Sequence, residues 1–101
     1  MRHAFRLFIK PGMEEEYDRR HRAVDPELLQ VFREAGVITY SIFRDGAELF
    51  GYLEIRGDDV TSVLSNIGKH PSNKRWQRYM MDLLDYSHEP SALEEVFVFR
   101  P

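Results

Sequence analysis

Between residues 4 and 10 apolar and polar side chains alternate: Phe5, Leu7 and Ile9 share one face, while Arg6 and Lys10 take the other. A period of two marks a strand, and Pro11-Gly12 ends it. From Met13 the period changes. Met13, Tyr17, His21, Val24, Leu28, Val31/Phe32 and Ala35 recur at steps of three and four, the stripe of an amphipathic helix closed by Gly36. Asp25-Pro26-Glu27 interrupts it. Proline is excluded from a helix interior but suits a first turn, and aspartate before it is a good cap, so a kink or restart is predicted at Asp25. Residues 37–44 read as a second strand, Asp45-Gly46 as a hairpin turn, and residues 48–56 as the returning strand, broken by Gly57. A short helix fits residues 59–67, with Asp58 or Asp59 as cap. After Gly68-Lys69-His70-Pro71, a second helical piece fits 72–84, where Trp76, Met80, Leu83 and Leu84 form its apolar stripe. Residues 85–92 read as a polar loop and 93–100 as the last strand.

The predicted order is strand, helix, strand, strand, helix, strand. Short helices on one face of an antiparallel sheet make an α+β sandwich, and this order is the ferredoxin-like βαββαβ motif. A length of 101 residues and a 43% hydrophobic fraction fit one domain, 1–101, with one core. The strands are apolar on both faces: Phe97 and Phe99 oppose Val96 and Val98, and Phe50 and Tyr52 oppose Leu49 and Leu53. One helical layer covers only one face. A homodimer packing sheet on sheet, the dimeric α/β barrel arrangement, is therefore expected.

Composition narrows the function. The formal net charge is −3 with both signs interspersed, so a nucleic-acid partner is not expected. Glu14 to Glu16 and Arg19 to Arg22 lie three and four apart on one helix and read as ion pairs. Cysteine is absent, which excludes disulfides and thiolate metal sites. The four histidines show no metal-ligand spacing. The opening MRHAFRLFIK reads as a strand and not as a leader, and no apolar run suits a membrane span. A metal site is not expected, and a cytoplasmic protein is.

His21 is the most informative residue. It sits four residues after Tyr17 on the apolar stripe, while Asp18, Arg19 and Arg22 should point elsewhere. A titratable ring is thus held between helix and sheet beside a phenol. Such a histidine is either a hydrogen-bonded core residue or a general acid–base, for which its titration near neutrality suits it. Tyr40 should share a strand face with Ile38 and Ile42, at least half buried. Its hydroxyl needs a partner, which a backbone carbonyl or a ligand can supply. Trp76 is the sole tryptophan. It is either core or a stacking face for a sugar, with the polar Gln77 beside it.

Four stretches resemble the bacterial L-rhamnose mutarotase family, in order and along essentially the whole chain. AFRLFIKPGMEEEYDRRH is similar to its first strand and helix. PELLQVFREAGVITYSIFRD, KRWQRYM and LEEVFVFRP are similar to its P-E-L…G…Y-x-I-x-x-D, R-W-W-x-Y-M and closing L-x-E-V-F-x-x-P segments. The resemblance implies a ferredoxin-like dimer that interconverts sugar anomers without cofactor. It implies His21 as proton donor, with Tyr17, Tyr40, Trp76 and Gln77 at the substrate. Three places depart from the pattern. Gln77 stands where the family has a second tryptophan, Asp25 precedes Pro26 where the family has a tryptophan, and the loop DYSHEPSAL replaces N-P-D-N-S-P-V. L-Fucose or another deoxy sugar is an alternative substrate. Two other classes compete: a cofactor-free monooxygenase or haem-degrading ferredoxin-like dimer, and a non-catalytic ligand-binding domain.

Overall fold

A computed structural model describes residues 1–101. Strand β1 (Arg2–Phe8) leads through Gly12, at φ +90°, into helix α1 (Glu14–Arg20). Three acidic residues open α1, favourable at the positive end of the helix dipole. One 3-10 turn, His21–Ala23, follows. Helix α2 (Pro26–Ala35) then starts afresh where predicted: Pro26 occupies the first turn, and the Glu27 N–H donates to Asp25 Oδ1 at 2.9 Å. Gly36, at φ +98°, ends α2 in the left-handed conformation that side chains resist.

The hairpin of β2 (Val37–Asp45) and β3 (Glu48–Ile55) turns on Gly46, at φ +58°. Helix α3 (Val60–Lys69) is capped by Asp59, which accepts from the Ser62 N–H. Helix α4 (Pro71–Met80) is capped by His70, whose Nδ1 accepts from the Ser72 N–H at 3.1 Å. Strand β4 (Ser91–Leu93) closes the sheet in the order β2-β3-β1-β4, antiparallel throughout. That is the ferredoxin-like order, with all helices over one face.

The cores lie between that face and the helices. Ile9, Tyr17, Leu49, Met80 and Leu83 form one under α1 and α4. Val31, Val37, Leu53, Ile55 and Ile67 form the other under α2 and α3. Arg20 pins α1 to the last turn of α4 and the chain after it, donating to the Tyr79 carbonyl and to both oxygens of Asp82. Glu16 pairs with Arg19 and Arg20, as the spacing implied.

Three expectations are corrected. The helix expected over 72–84 stops at Met80. There the backbone is taken over by β1: the Lys10 N–H donates to the Leu83 carbonyl at 2.8 Å and the Asp85 N–H to the Phe8 carbonyl at 2.9 Å. Leu83 remains core without being helical. A bulge at Ile38 shifts the β2–β3 register between Val37 and Thr39. It turns Val37 and Tyr40 to the same face and Ile38 outward, 59% exposed, so Ile38 does not share the Tyr40 face.

The last strand is the third correction. It was expected over 93–100, and only 91–93 pair. In the register Ala4↔Leu93, Glu95 falls opposite Arg2, with which it forms an ion pair, and Val96 falls opposite Met1. Val96, Phe97 and Phe99 are 90%, 81% and 76% exposed.

Candidate active site

The two cores leave a cleft between them and the helices, about 910 Å³ in volume and mostly apolar. That is a volume typical of small-molecule sites. Its floor is the sheet. Glycine at 51 makes room there: a Cβ at this position would collide with the outer edge of the Phe5 ring, which lies across β3. Tyr40 stands edge-on to Phe5 at 6.3 Å and tilts against Phe32 at 5.5 Å.

The wall is built from the ends of α1 and the face of α4. Tyr17 is 6% exposed, and its ring lies 4.3 Å from that of His21. Trp76 meets His21 edge to face at 5.2 Å. The placement of His21 follows from the local fold. It closes α1, and its Nδ1 lies 3.0 Å from the Tyr17 carbonyl one turn earlier. A carbonyl only accepts, so Nδ1 carries the proton. The neutral ring then presents Nε2 as a bare lone pair, fixed in orientation by the helix end. His21 lines the cleft.

The two phenols are held neutral. Burial pushes Tyr17 well above the ordinary tyrosine range and Tyr40 up to about 12. Neither hydroxyl has a protein partner; the Tyr17 oxygen is not sealed in the interior, and Tyr40 is 38% exposed. Both are donors open to the cleft at neutral pH. Because the Tyr40 value rises above its ordinary 10.0, the stability tied to its neutral form is complete below pH 10. It is lost as pH climbs toward about 12. Urea midpoints should therefore fall over that interval, and Tyr40→Phe should flatten the fall.

The geometry thus brings Tyr17, His21, Tyr40, Trp76 and Gln77 to one cleft. Some lining residues escaped the sequence reading. Asp18 and Arg22, expected to point elsewhere, line the cleft. So does Arg44, which donates to both Asp18 oxygens at 2.9 and 2.7 Å and holds the Asp18 carboxyl below its usual range. His3 and Asn73 also line it. No signal in a hydrophobic pattern marks these polar groups, because it assigns every charge to solvent. No three His, Asp or Glu side chains converge in a metal-ligating cluster.

The family model of L-rhamnose mutarotase matches residues 2–99. The chain belongs to the L-rhamnose mutarotase family. It is 35% identical to the L-rhamnose mutarotase of Phocaeicola vulgatus, covering 95% of each chain. It is 38% identical to that of Sinorhizobium fredii, over 97% of this chain and 95% of the relative. The crystal structure of the L-rhamnose mutarotase of Formosa agariphila matches with a TM-score of 0.79 at 30% identity over 99% of both chains. Tetracenomycin F2 cyclase of Streptomyces glaucescens, with a TM-score of 0.67 at 17% identity, shares the fold alone. Membership makes the chain a mutarotase, an isomerase. The oxygenase-like neighbours, such as an antibiotic biosynthesis monooxygenase of Nitrosomonas europaea at 13% identity, likewise share only the fold.

Proposed function

We propose that this mutarotase interconverts the α and β anomers of L-rhamnose, with His21 moving the proton. One observation carries the reading: an imidazole whose Nδ1 is committed to the Tyr17 carbonyl and whose other nitrogen is left for a ligand, between a phenol and an indole. Mutarotation opens the hemiacetal, lets C1 turn about the C1–C2 bond, and recloses it on the other face. Opening removes the proton of the anomeric hydroxyl and delivers one to the ring oxygen; closure reverses both transfers. The ring oxygen and the anomeric oxygen share C1, so Nε2 of a single imidazole can reach either in turn. The neutral ring serves as base toward the anomeric hydroxyl, and the imidazolium then formed serves as acid toward the ring oxygen. Tyr17 and Tyr40, kept protonated by burial, donate to sugar oxygens. Trp76 offers its face to the apolar C–H side of the ring, and Gln77 adds a polar contact at the rim.

The test is NMR exchange spectroscopy of L-rhamnose, L-fucose and common hexoses. Catalytic protein should accelerate α–β exchange of L-rhamnose most. Exchange no faster than in buffer, or fastest for L-fucose, would contradict this choice of substrate.

The same reading includes a homodimer of one-domain chains, 1–101. The outer face of the sheet carries Phe43, 64% exposed, with Leu93 and the half-buried Phe8, Phe50 and Tyr52. The apolar segment from Val96 to Phe99 follows β4 unpaired and exposed. A second copy supplies what both lack. Sedimentation should give a dimer at micromolar concentration, and the double substitution Phe97→Asp, Phe99→Asp should shift it toward monomer. A wild-type monomer would contradict the arrangement. No helix is long and apolar enough to cross a membrane, and the cytoplasm is the proposed place of work.

A further inference from the structure

We propose that the carboxamide of Asn73 is a substrate-specificity group that bonds hydroxyls on the side of the pyranose remote from the anomeric carbon; this rests on the mutarotase reading of the cleft. Asn73 is 9% exposed and lines the cleft. Its side chain makes no hydrogen bond within the protein, yet neither amide atom is sealed away, since the one orphaned buried side-chain atom of the molecule is Arg6 Nε. The small accessible part of Asn73 therefore includes its donor and its acceptor. A polar side chain this buried normally finds partners, and this one has none in the protein while it faces the cleft.

The local structural roles of such a residue are already filled. Asn73 is the third residue of α4, where a side chain can reach back to the N–H of the capping residue. That N–H, from His70, donates to the Ile67 carbonyl at 3.1 Å instead. Capping of the helix is done by the His70 ring, which accepts from the Ser72 N–H. The carboxamide of Asn73 is left with no duty inside the fold.

Its position suits a sugar. Asn73, Trp76, Gln77 and Met80 form the face of α4 that lines the cleft, at steps of three and four. Trp76 marks the reacting end, because its ring touches His21. Asn73 lies about one helical turn from it, about 5 Å along the axis, comparable with the breadth of a pyranose from its anomeric to its far hydroxyls. A carboxamide offers a donor and an acceptor side by side, the complement of two adjacent hydroxyls. With the anomeric carbon at His21, the 3- and 4-hydroxyls are the adjacent pair furthest from it. Gln77, one turn on from Asn73 and exposed, supplies a second amide at the rim.

Two readouts test the contact. In 1H–15N spectra of the wild-type protein, the side-chain amide pair that disappears in Asn73→Ala should shift when L-rhamnose is added. In exchange kinetics, Asn73→Ala should lower kcat/KM for L-rhamnose by about five- to tenfold, the usual yield of a neutral hydrogen bond. It should have little effect on the 3-deoxy or 4-deoxy analogue that lacks the contacted hydroxyl. Asn73→Asp, which keeps the shape and the acceptor, should retain part of the activity. An amide pair unmoved by saturating sugar, or an Asn73→Ala loss equal for the parent and both analogues, would overturn the proposal. The two readings fail separately. A moving amide without accelerated exchange would sink the mutarotase reading and keep the contact; accelerated exchange with an unmoved amide would do the reverse.

Discussion

Replacing His21 with alanine is expected to lower the catalysed rate of α–β exchange by about a hundred- to ten-thousand-fold, the range that a positioned general acid–base contributes. Its removal leaves Tyr17, Tyr40 and Trp76 in place, so sugar binding should survive. His21 closes α1 with a side-chain bond to a carbonyl, which its own backbone N–H also reaches. Loss of that second bond costs little, and the fold should stand. Saturation-difference NMR checks both halves: wild-type-like contact with L-rhamnose, and anomer exchange near the rate in buffer. Exchange within tenfold of wild type would remove His21 from the chemistry. His21→Gln refines the result. Glutamine can restore a hydrogen bond to the Tyr17 carbonyl but cannot pass a proton near neutrality, so it should behave as alanine does in rate.

The second large effect is on the cleft floor. Gly51→Ala drives a methyl against the outer edge of the Phe5 ring. In an ordinary strand, alanine in place of glycine stabilises by about 0.5–1 kcal/mol because less backbone entropy is lost on folding. Here the sign reverses. Phe5 packs beside Val37, Leu53 and Ile55 and props Tyr40, so displacing it overpacks the core, at about 1–3 kcal/mol. For a domain of this size the melting temperature should drop by about 5–20 °C, and sugar affinity should fall with it. Adding Phe5→Leu to Gly51→Ala should restore part of the loss. Thermal denaturation of the four proteins in the cycle measures this, and a Gly51→Ala protein more stable than wild type would disprove the stacked floor.

Where a signal is local, the sequence was sufficient. Asp25-Pro26 restarts the helix, Gly36 stops it, Gly46 turns the hairpin and Asp59 caps α3, because each depends on the conformational habit of one or two residues. The pairing of Tyr17 with His21 followed from a four-residue spacing alone. What the pattern missed was decided by distant chain. Met80 ends α4 because β1 captures the backbone beyond it, and the bulge at Ile38 reverses the side-chain alternation of β2. Strand β4 stops at Leu93 although His3 and Arg2 of β1 stand opposite Glu94 and Glu95, and the alternating pattern beyond carries no sign of that stop. Asn73 escaped for another reason: amphipathic periodicity assigns polar residues to solvent, whereas a ligand cleft places them among apolar ones.

The most direct measurement is the tautomer and environment of one imidazole, read by long-range 1H–15N correlation of the histidine rings with and without L-rhamnose. His21 should carry its proton on Nδ1, and its Nε2 resonance should move as sugar is added. A ring protonated on Nε2 instead, or an Nε2 signal indifferent to saturating sugar, would contradict proton transfer at this residue.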